Sequence, residues 1–209
     1  GDCPVGLKDV TLRRGRHTVF EGLSLDLGEP RIGLIGDNGA GKSSLFRLIC
    51  GLDSPRAGEV RLGGVPLGAA DPQPRPVGMM FQNPDEQIIF PTVAEELALG
   101  LQAAGQARKA AQAQASAWLT ERGLADWADR AIGSLSQGQR QHVCWLALLI
   151  AAPRVLLLDE PYASLDLPGQ ARLHREIDRV PQQVIVSTHV LDHVRHYARV
   201  VWLDRGQVR

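Results

Sequence analysis

The sequence has few cysteines, no excess of either charge and no apolar run long enough to cross a membrane. Its three cysteines, Cys3, Cys50 and Cys144, are scattered along 209 residues and form no CxxC pair. That excludes a disulfide framework and a thiolate zinc site, and it fits a reducing compartment. Lys+Arg and Asp+Glu both number 23, so the formal net charge is zero and the pI is about 7.2. Such a balance leaves no basic footprint for general nucleic-acid binding. The longest apolar run, Val143 to Ala152, spans 10 residues and stops at Pro153. A membrane helix needs about 20. No signal-peptide pattern is visible at the N-terminus. The expectation is a chain soluble by itself, with any membrane role supplied through a partner. Its length suits one α/β domain with a substantial core.

The stretch that organises the rest is Gly36-Asp37-Asn38-Gly39-Ala40-Gly41-Lys42-Ser43-Ser44. It fits the phosphate-loop pattern. An apolar strand precedes it (Arg31-Ile32-Gly33-Leu34-Ile35), and an amphipathic helix follows from Ser44, closed by Gly51. Three glycines let backbone bend around an anion, and the loop amides and helix N-terminus direct positive dipole at it. In this pattern Lys42 reaches the β- and γ-phosphates and the Ser43 hydroxyl ligates magnesium. A plain glycine turn between a strand and a helix is the alternative.

Residues 5–12 and 23–27 alternate as strands, with a basic turn at 13–17. Residues 59–62 form a short strand, 63–76 an exposed loop with four prolines, and 77–81 a buried strand. From Gln82 to Pro153 the pattern turns helical. Thr92-Val93-Ala94-Glu95 opens one helix as a capping box, and 102–119 reads as a surface helix with Gly105 as its weak point. A short helical turn at 126–131 and an apolar helix over 139–152 follow. Strands return at 154–158, 183–187 and 200–203, with helices over 168–180 and after His189. The alternation predicts an α/β fold with a mostly parallel sheet. The core is expected over about 1–81 and 154–209, with a helical subdomain over about 82–153.

Four further stretches carry chemistry. The strand ending in Asp159-Glu160 can hold Asp159 beside a phosphate-loop magnesium and aim Glu160 at the attacking water. A general base there contributes roughly 10²–10⁴-fold in rate. Leu135-Ser136-Gln137-Gly138-Gln139 opens the apolar helix with small residues and free amides, either a second anion site or plain capping by Ser136. Gln82 follows a core strand, where its amide oxygen could reach the magnesium. His189 ends another strand, within reach of a γ-phosphate. His189, His193 and His196 are also spaced i, i+4, i+7, which suits either a metal or an ordinary solvated helix face.

Together these motifs resemble those of an ATP-binding cassette ATPase, over essentially the whole chain. The resemblance matches Walker A to residues 36–44, the Q-loop to Gln82, the signature to 135–139 and Walker B to 155–160. The D-loop falls on Ser164-Leu165-Asp166, and the switch histidine on His189. It implies the P-loop NTPase (RecA-like) cassette, with a small antiparallel β region and an α-helical subdomain. It also implies ATP and Mg²⁺ as ligands, and Ser43, Gln82 and Asp159 on the metal. Glu160 and His189 become catalytic, and Ser136, Gly138, Gln139 and Asp166 join the phosphate loop in holding nucleotide. Two chains, or a chain and a paired cassette, then close head to tail, Ser136 and Gly138 of one meeting the γ-phosphate held by Lys42 of the other.

Gln137 stands where this family usually has glycine. Arg14 stands where it tends to place an aromatic residue against adenine, and a guanidinium can stack on a base too. The segment from Phe81 to Glu96 resembles the ATPase subunits of energy-coupling factor importers of vitamins or transition-metal ions. The wording Gln87-Ile88-Ile89-Phe90-Pro91-Thr92-Val93 is closer to biotin-type systems. That implies an integral membrane scaffold whose arginine-bearing helices dock at Asp85, Glu86, Ile88 and Ile89, with Phe90 either gripping or packed inside. The chain would then sit at the cytoplasmic face of the inner membrane, peripheral through that partner, with no direct nucleic-acid contact. A soluble cassette acting on nucleic acid or the ribosome would carry a basic surface or tandem cassettes, which this sequence lacks. A small-molecule kinase or switch NTPase would leave Gln82, Ser136 and His189 without a role.

Overall fold

Five parallel strands form the centre of the molecule, and the inner three are largely apolar and buried on both faces. A computed structural model describes residues 4–37, 39, 41–67 and 76–209. In chain order the six-stranded sheet contains β3 (Arg31–Ile35), β6 (Val77–Met80), β7 (Val155–Asp159), β8 (Gln183–Thr188), β9 (Arg199–Asp204) and β10 (Gln207–Val208). Their spatial order is β10-β9-β3-β8-β7-β6, and all but β10 are parallel to their neighbours. Every residue of β7 is buried, as expected of a strand covered on both faces. A separate antiparallel sheet, order β2-β1-β4-β5, is built from β1 (Val5–Arg14), β2 (His17–Leu27), β4 (Ala57–Leu62) and β5 (Val65–Pro66).

One face of the main sheet meets the antiparallel sheet across helix α1 (Lys42–Ile49), burying Phe20, Phe46, Leu48 and Ile49. The opposite face packs on α4 (Gln137–Ile150) and α5 (Leu167–Arg179) through Trp145, Leu148, Tyr162 and Ile177. A third apolar cluster lies among α2 (Val93–Ala103), α3 (Arg108–Glu121) and α4. Arg31 fastens the start of β3 to the end of α5. Its guanidinium donates to the carbonyls of Ile177 and Gln182, both at 2.8 Å, supplying positive charge where helix carbonyls lack partners.

Several elements differ from the sequence expectation. Strand β2 starts at His17 because the hairpin turn shrinks to Gly15-Arg16. Its pairing with β1 is interrupted by register shifts, with Asp9 and Gly22 at positive φ. Those bulges hide the alternation from a period-two reading. The expected loop over 63–76 contains β5, and its residues 68–75 lie outside the described ones. Helix 102–119 is instead split: α2 runs to Ala103, Gly105 turns at φ 102°, and α3 begins at Arg108. The helix expected after His189 is one 3₁₀ turn, Leu191–His193.

That short segment is fixed by contact with the sheet. Val194 is fully buried over Gly33, in the middle of β3, where an added Cβ would lie 2.5 Å from Val194 Cβ. Glycine is required there by proximity. Gly33→Ala is expected to destabilise the fold by about 1–3 kcal/mol through overpacking, read as a lower urea midpoint with an unchanged slope.

Candidate active site

The site lies at the carboxyl ends of the parallel strands, where their register gathers side chains from distant parts of the sequence. Ile35 pairs with Thr188, and Asp159 pairs with Ser187. The phosphate loop leaves β3, the carboxylates end β7, and Ser187-Thr188-His189 ends β8. Gly39 and Gly41 take φ of 86° and 104°, values an L side chain rarely adopts. At Gly41 a Cβ would also come within 2.8 Å of the Phe20 ring. Asn38 and Ala40, expected in the same loop, lie outside the described residues, and Asp37 is exposed.

Lys42 is 6% exposed, with its ammonium donating to the Gly36 carbonyl and standing 3.7 Å from Glu160 Oε1. A buried cation needs such partners. The Ser43 hydroxyl donates to Asp159 Oδ2 at 2.9 Å, and Ser187 donates to Asp159 Oδ1 at 2.7 Å. Glu160 has φ 46°, an uncommon backbone state costing of order 1–3 kcal/mol that clusters at functional sites. Its carboxylate lies 3.2 Å from His189 Nδ1. The structure thus brings together two residues that the sequence reading singled out separately, one at the end of β7 and one at the end of β8.

A cavity of about 650 Å³ opens beside these groups, lined by Ser43, Gln82, Glu86, Gln137, Asp159 and Ser164 among others. Ser43, Gln82 and Asp159 thus face one space, and their donor set is all oxygen. Hard oxygen ligands suit magnesium, which typically takes one or two carboxylates and completes its shell with phosphate oxygens and water. Among the described residues no three His, Cys, Asp or Glu side chains could hold a metal by themselves. The residues present fit magnesium bound together with a phosphate.

A second cavity, about 590 Å³, is lined by Ser136, Gly138, Gln139, Ser164, Asp166 and Arg172 among others. Ser136 and Gln139 form a complete capping box at the start of α4. Gln139 N–H donates to Ser136 Oγ at 3.2 Å, and Gln139 Oε1 accepts from Ser136 N–H at 2.9 Å. Asp166 caps α5, accepting from Gly169 N–H at 2.8 Å. Ser136, Gly138 and Gln139 line a cavity other than that of Ser43 and Asp159, while Gln137 between them lines the latter and Ser164 lines both.

Arg14 lies beside the phosphate-loop helix: its Nε donates to Ser44 Oγ at 3.2 Å, and its other end pairs with Asp53, which also holds Arg47. The histidine face does not form. His193 turns inward, its Nδ1 3.2 Å from Thr188 Oγ1 and its ring 4.5 Å from that of Tyr162. Burial holds the His193 imidazole below its ordinary value, with the Glu160 carboxylate opposing. His196 instead packs on Tyr197, ring centroids 4.7 Å apart.

At the Q-loop turn, Pro84–Glu86, both acids are exposed, and Asp85 pairs with Arg140 of α4 at 3.0 Å. Ile88 packs against the interior, Phe90 is half-buried and Ile89 is 74% exposed. Sequence reasoning missed Glu96, which is buried and accepts from the amides of Ile89 and Phe90 at 3.0 and 2.8 Å. Only its burial in an otherwise apolar helix stripe could have signalled it. It also missed Ser187, one of many small polar residues in strands.

The family model for ABC transporters matches residues 20–163. A biotin transport ATP-binding protein, BioM of Rhodobacter capsulatus, is 45% identical over 98% of this chain and 88% of its own length. The energy-coupling factor transporter ATP-binding protein EcfA of Methanoculleus marisnigri is 36% identical over 96% of this chain and 76% of its own. Among solved structures, cbiO1 of Clostridium perfringens, part of the transporter complex cbiONQ, superposes with a TM-score of 0.83. It is 22% identical and covers 100% of this chain and 88% of its own, a likeness of fold. A family match over most of the chain, with relatives this similar along nearly all of it, makes this protein a member of the ABC transporter family, an ATPase subunit that hydrolyses ATP.

Proposed function

We propose that this ATPase energises an energy-coupling factor importer, with biotin as the transported vitamin. The observation that carries the reading is the shared cavity that brings Ser43, Gln82 and Asp159 together next to Glu86 of the exposed acidic turn. A nucleotide site and a partner-facing turn then border one space. The biotin assignment is supported by BioM of Rhodobacter capsulatus at 45% identity, and the importer class by EcfA of Methanoculleus marisnigri.

In this reading the loop amides and Lys42 grip the β- and γ-phosphates, with Gly36, Asp37, Asn38, Gly39, Ala40, Gly41 and Ser44 completing the cradle. Ser43, Asp159 and Gln82 hold magnesium, which when bound neutralises phosphate charge. Glu160 accepts the proton of the attacking water, and His189, 3.2 Å away, orients that carboxylate and reaches the γ-phosphate. Arg14 borders the base. Ser136, Gly138, Gln139 and Asp166 serve the partner cassette's nucleotide, so hydrolysis needs a head-to-tail dimer. The separate cavities of the two groups support that division.

The helical segment of about 82–153, with its own apolar cluster, moves as a subdomain against a core of about 1–81 and 154–209. The membrane scaffold docks at the turn around Asp85 and Glu86, with Ile89 as the exposed apolar contact and Ile88 as its support. The chain works at the cytoplasmic face of the membrane, through that partner. No helix among the described residues is long and apolar enough to cross it.

Glu160→Gln is expected to bind ATP, remain dimeric and lose hydrolysis by roughly 100-fold or more; near-normal phosphate release would remove Glu160 as the base. Ile89→Arg, at the exposed contact and outside the nucleotide cavity, is expected to leave detergent-free ATPase activity intact and to abolish co-purification with the scaffold. Retained co-purification would contradict the docking surface. Asp85→Arg also breaks the Arg140 pair and Glu86 lines the nucleotide cavity, so the Ile89 variant is the decisive one. Cells expressing the chain with its membrane subunits should accumulate labelled biotin above a vector control. Cobalt or nickel accumulation without biotin uptake would reassign the cargo.

A further inference from the structure

Strand β8 delivers three polar residues to the site, and only the last belongs to the motifs recognised in the sequence. Ser187 is fully buried and sits opposite Asp159 in the β7–β8 register. Its hydroxyl donates to Asp159 Oδ1 at 2.7 Å, since a carboxylate can only accept. The same hydroxyl accepts from the Glu160 N–H at 3.1 Å. One side chain therefore touches both consecutive acids.

The Ser187 carbonyl also accepts that Glu160 N–H at 3.1 Å. The amide is thus satisfied without the hydroxyl, so backbone pairing alone does not account for a serine here. What the hydroxyl adds is the bond to Asp159. With Oδ1 held by Ser187, the carboxylate cannot rotate freely, and Oδ2 is left facing Ser43 at 2.9 Å. The hydroxyl's other bond, accepted from the Glu160 N–H at 3.1 Å, adds to the carbonyl's hold on a residue whose backbone is already in the left-handed region, φ 46°.

We propose that Ser187 is a positioning residue for ATP hydrolysis, setting the rotation of Asp159 toward the magnesium side and the turn that aims Glu160. It acts through those acids and does not itself contact nucleotide. The inference rests on the assignment of Asp159 to the magnesium site.

The test uses the full chain. Ser187→Ala deletes only the hydroxyl and leaves the carbonyl in place. Turnover is expected to fall by roughly 10–100-fold, the usual consequence of removing the hydrogen-bond partner of a metal-side ligand, with the KM for ATP within about twofold of wild type. A second readout avoids turnover. In a Glu160→Gln background, ATP-dependent dimerisation is titrated with Mg²⁺ by light scattering, and adding Ser187→Ala should raise the half-point roughly tenfold. Combining Ser187→Ala with Asp159→Asn should cost no more than Asp159→Asn alone, because the two act as one unit. Ser187→Thr, which keeps a hydroxyl, should recover the Mg²⁺ half-point.

Unchanged turnover and an unchanged half-point overturn the proposal. So do losses that multiply in the double variant, or a Ser187→Ala chain that fails to fold, which would make the hydroxyl a stability element. Dimerisation of the Glu160→Gln parent that is indifferent to Mg²⁺ overturns this inference together with the magnesium assignment. A Mg²⁺-dependent Glu160→Gln parent whose half-point Ser187→Ala leaves unaffected overturns this inference alone.

Discussion

A single carboxylate, Asp159, ties the site together. It accepts from Ser43 at the start of α1 and from Ser187 at the end of β8, so three separate segments meet on its two oxygens. These bonds exist only because the parallel register sets Asp159 against Ser187 and Ile35 against Thr188. A slip of one residue would turn every side chain of a strand to the other face. Because β7 is buried throughout and β8 nearly so, such a slip would displace close-packed side chains on both faces. Packing in the sheet interior therefore determines the chemistry at its edge.

The second constraint is desolvated charge. Lys42 and Glu160 are 6% and 8% exposed, 3.7 Å apart. Buried opposite charges help little toward stability, because desolvation offsets most of their attraction, but removing one partner is costly. The pair is looser than a charge-assisted hydrogen bond, which closes to about 2.7–2.9 Å. A triphosphate entering the loop offers Lys42 denser negative charge than one carboxylate does. Glu160 then keeps His189 as its near neighbour. The arrangement holds a cation and a carboxylate beside each other in a form that an incoming anion can separate.

Most of the site could be read from sequence where function demands a residue type at fixed spacing. The glycines and Lys42-Ser43, the acid pair after β7 and the small residues before α4 all belong to that class, and the strands carrying them are strongly apolar. The remainder depended on contacts between distant segments. Nothing local around His189 forecasts that Val194 must settle onto Gly33, leaving too short a path for a helix. Asp9 and Gly22 break the alternation of β1 and β2 because bulges follow from cross-strand pairing. Ile88 and Ile89 are identical in type, yet one packs inward and the other faces out. The difference comes from Glu96, which holds the backbone of Ile89 and Phe90 from a different element. Ser187 gave no motif, since its meaning arises from the residue across the sheet.

The connections between the acidic turn and the carboxylates differ in stiffness. Asp85 and Arg140 link the turn to α4 at 3.0 Å, but their side chains are 60% and 30% exposed. An ion pair of that kind contributes at most about 1 kcal/mol and would yield readily to a competing cation. Gln141, one residue further along α4, is 5% exposed and bonded on both sides. Its amide donates to the Pro161 carbonyl and its oxygen accepts from Ser164 at 2.6 Å. A buried amide that loses such partners leaves unsatisfied polar atoms at about 1–3 kcal/mol each. The start of α4 is therefore bound firmly to the segment that follows Glu160 and only lightly to the turn that faces outward. Displacement at the turn can break the light link without disturbing Asp159 and Glu160, whereas displacement of α4 cannot leave residues 161–164 behind.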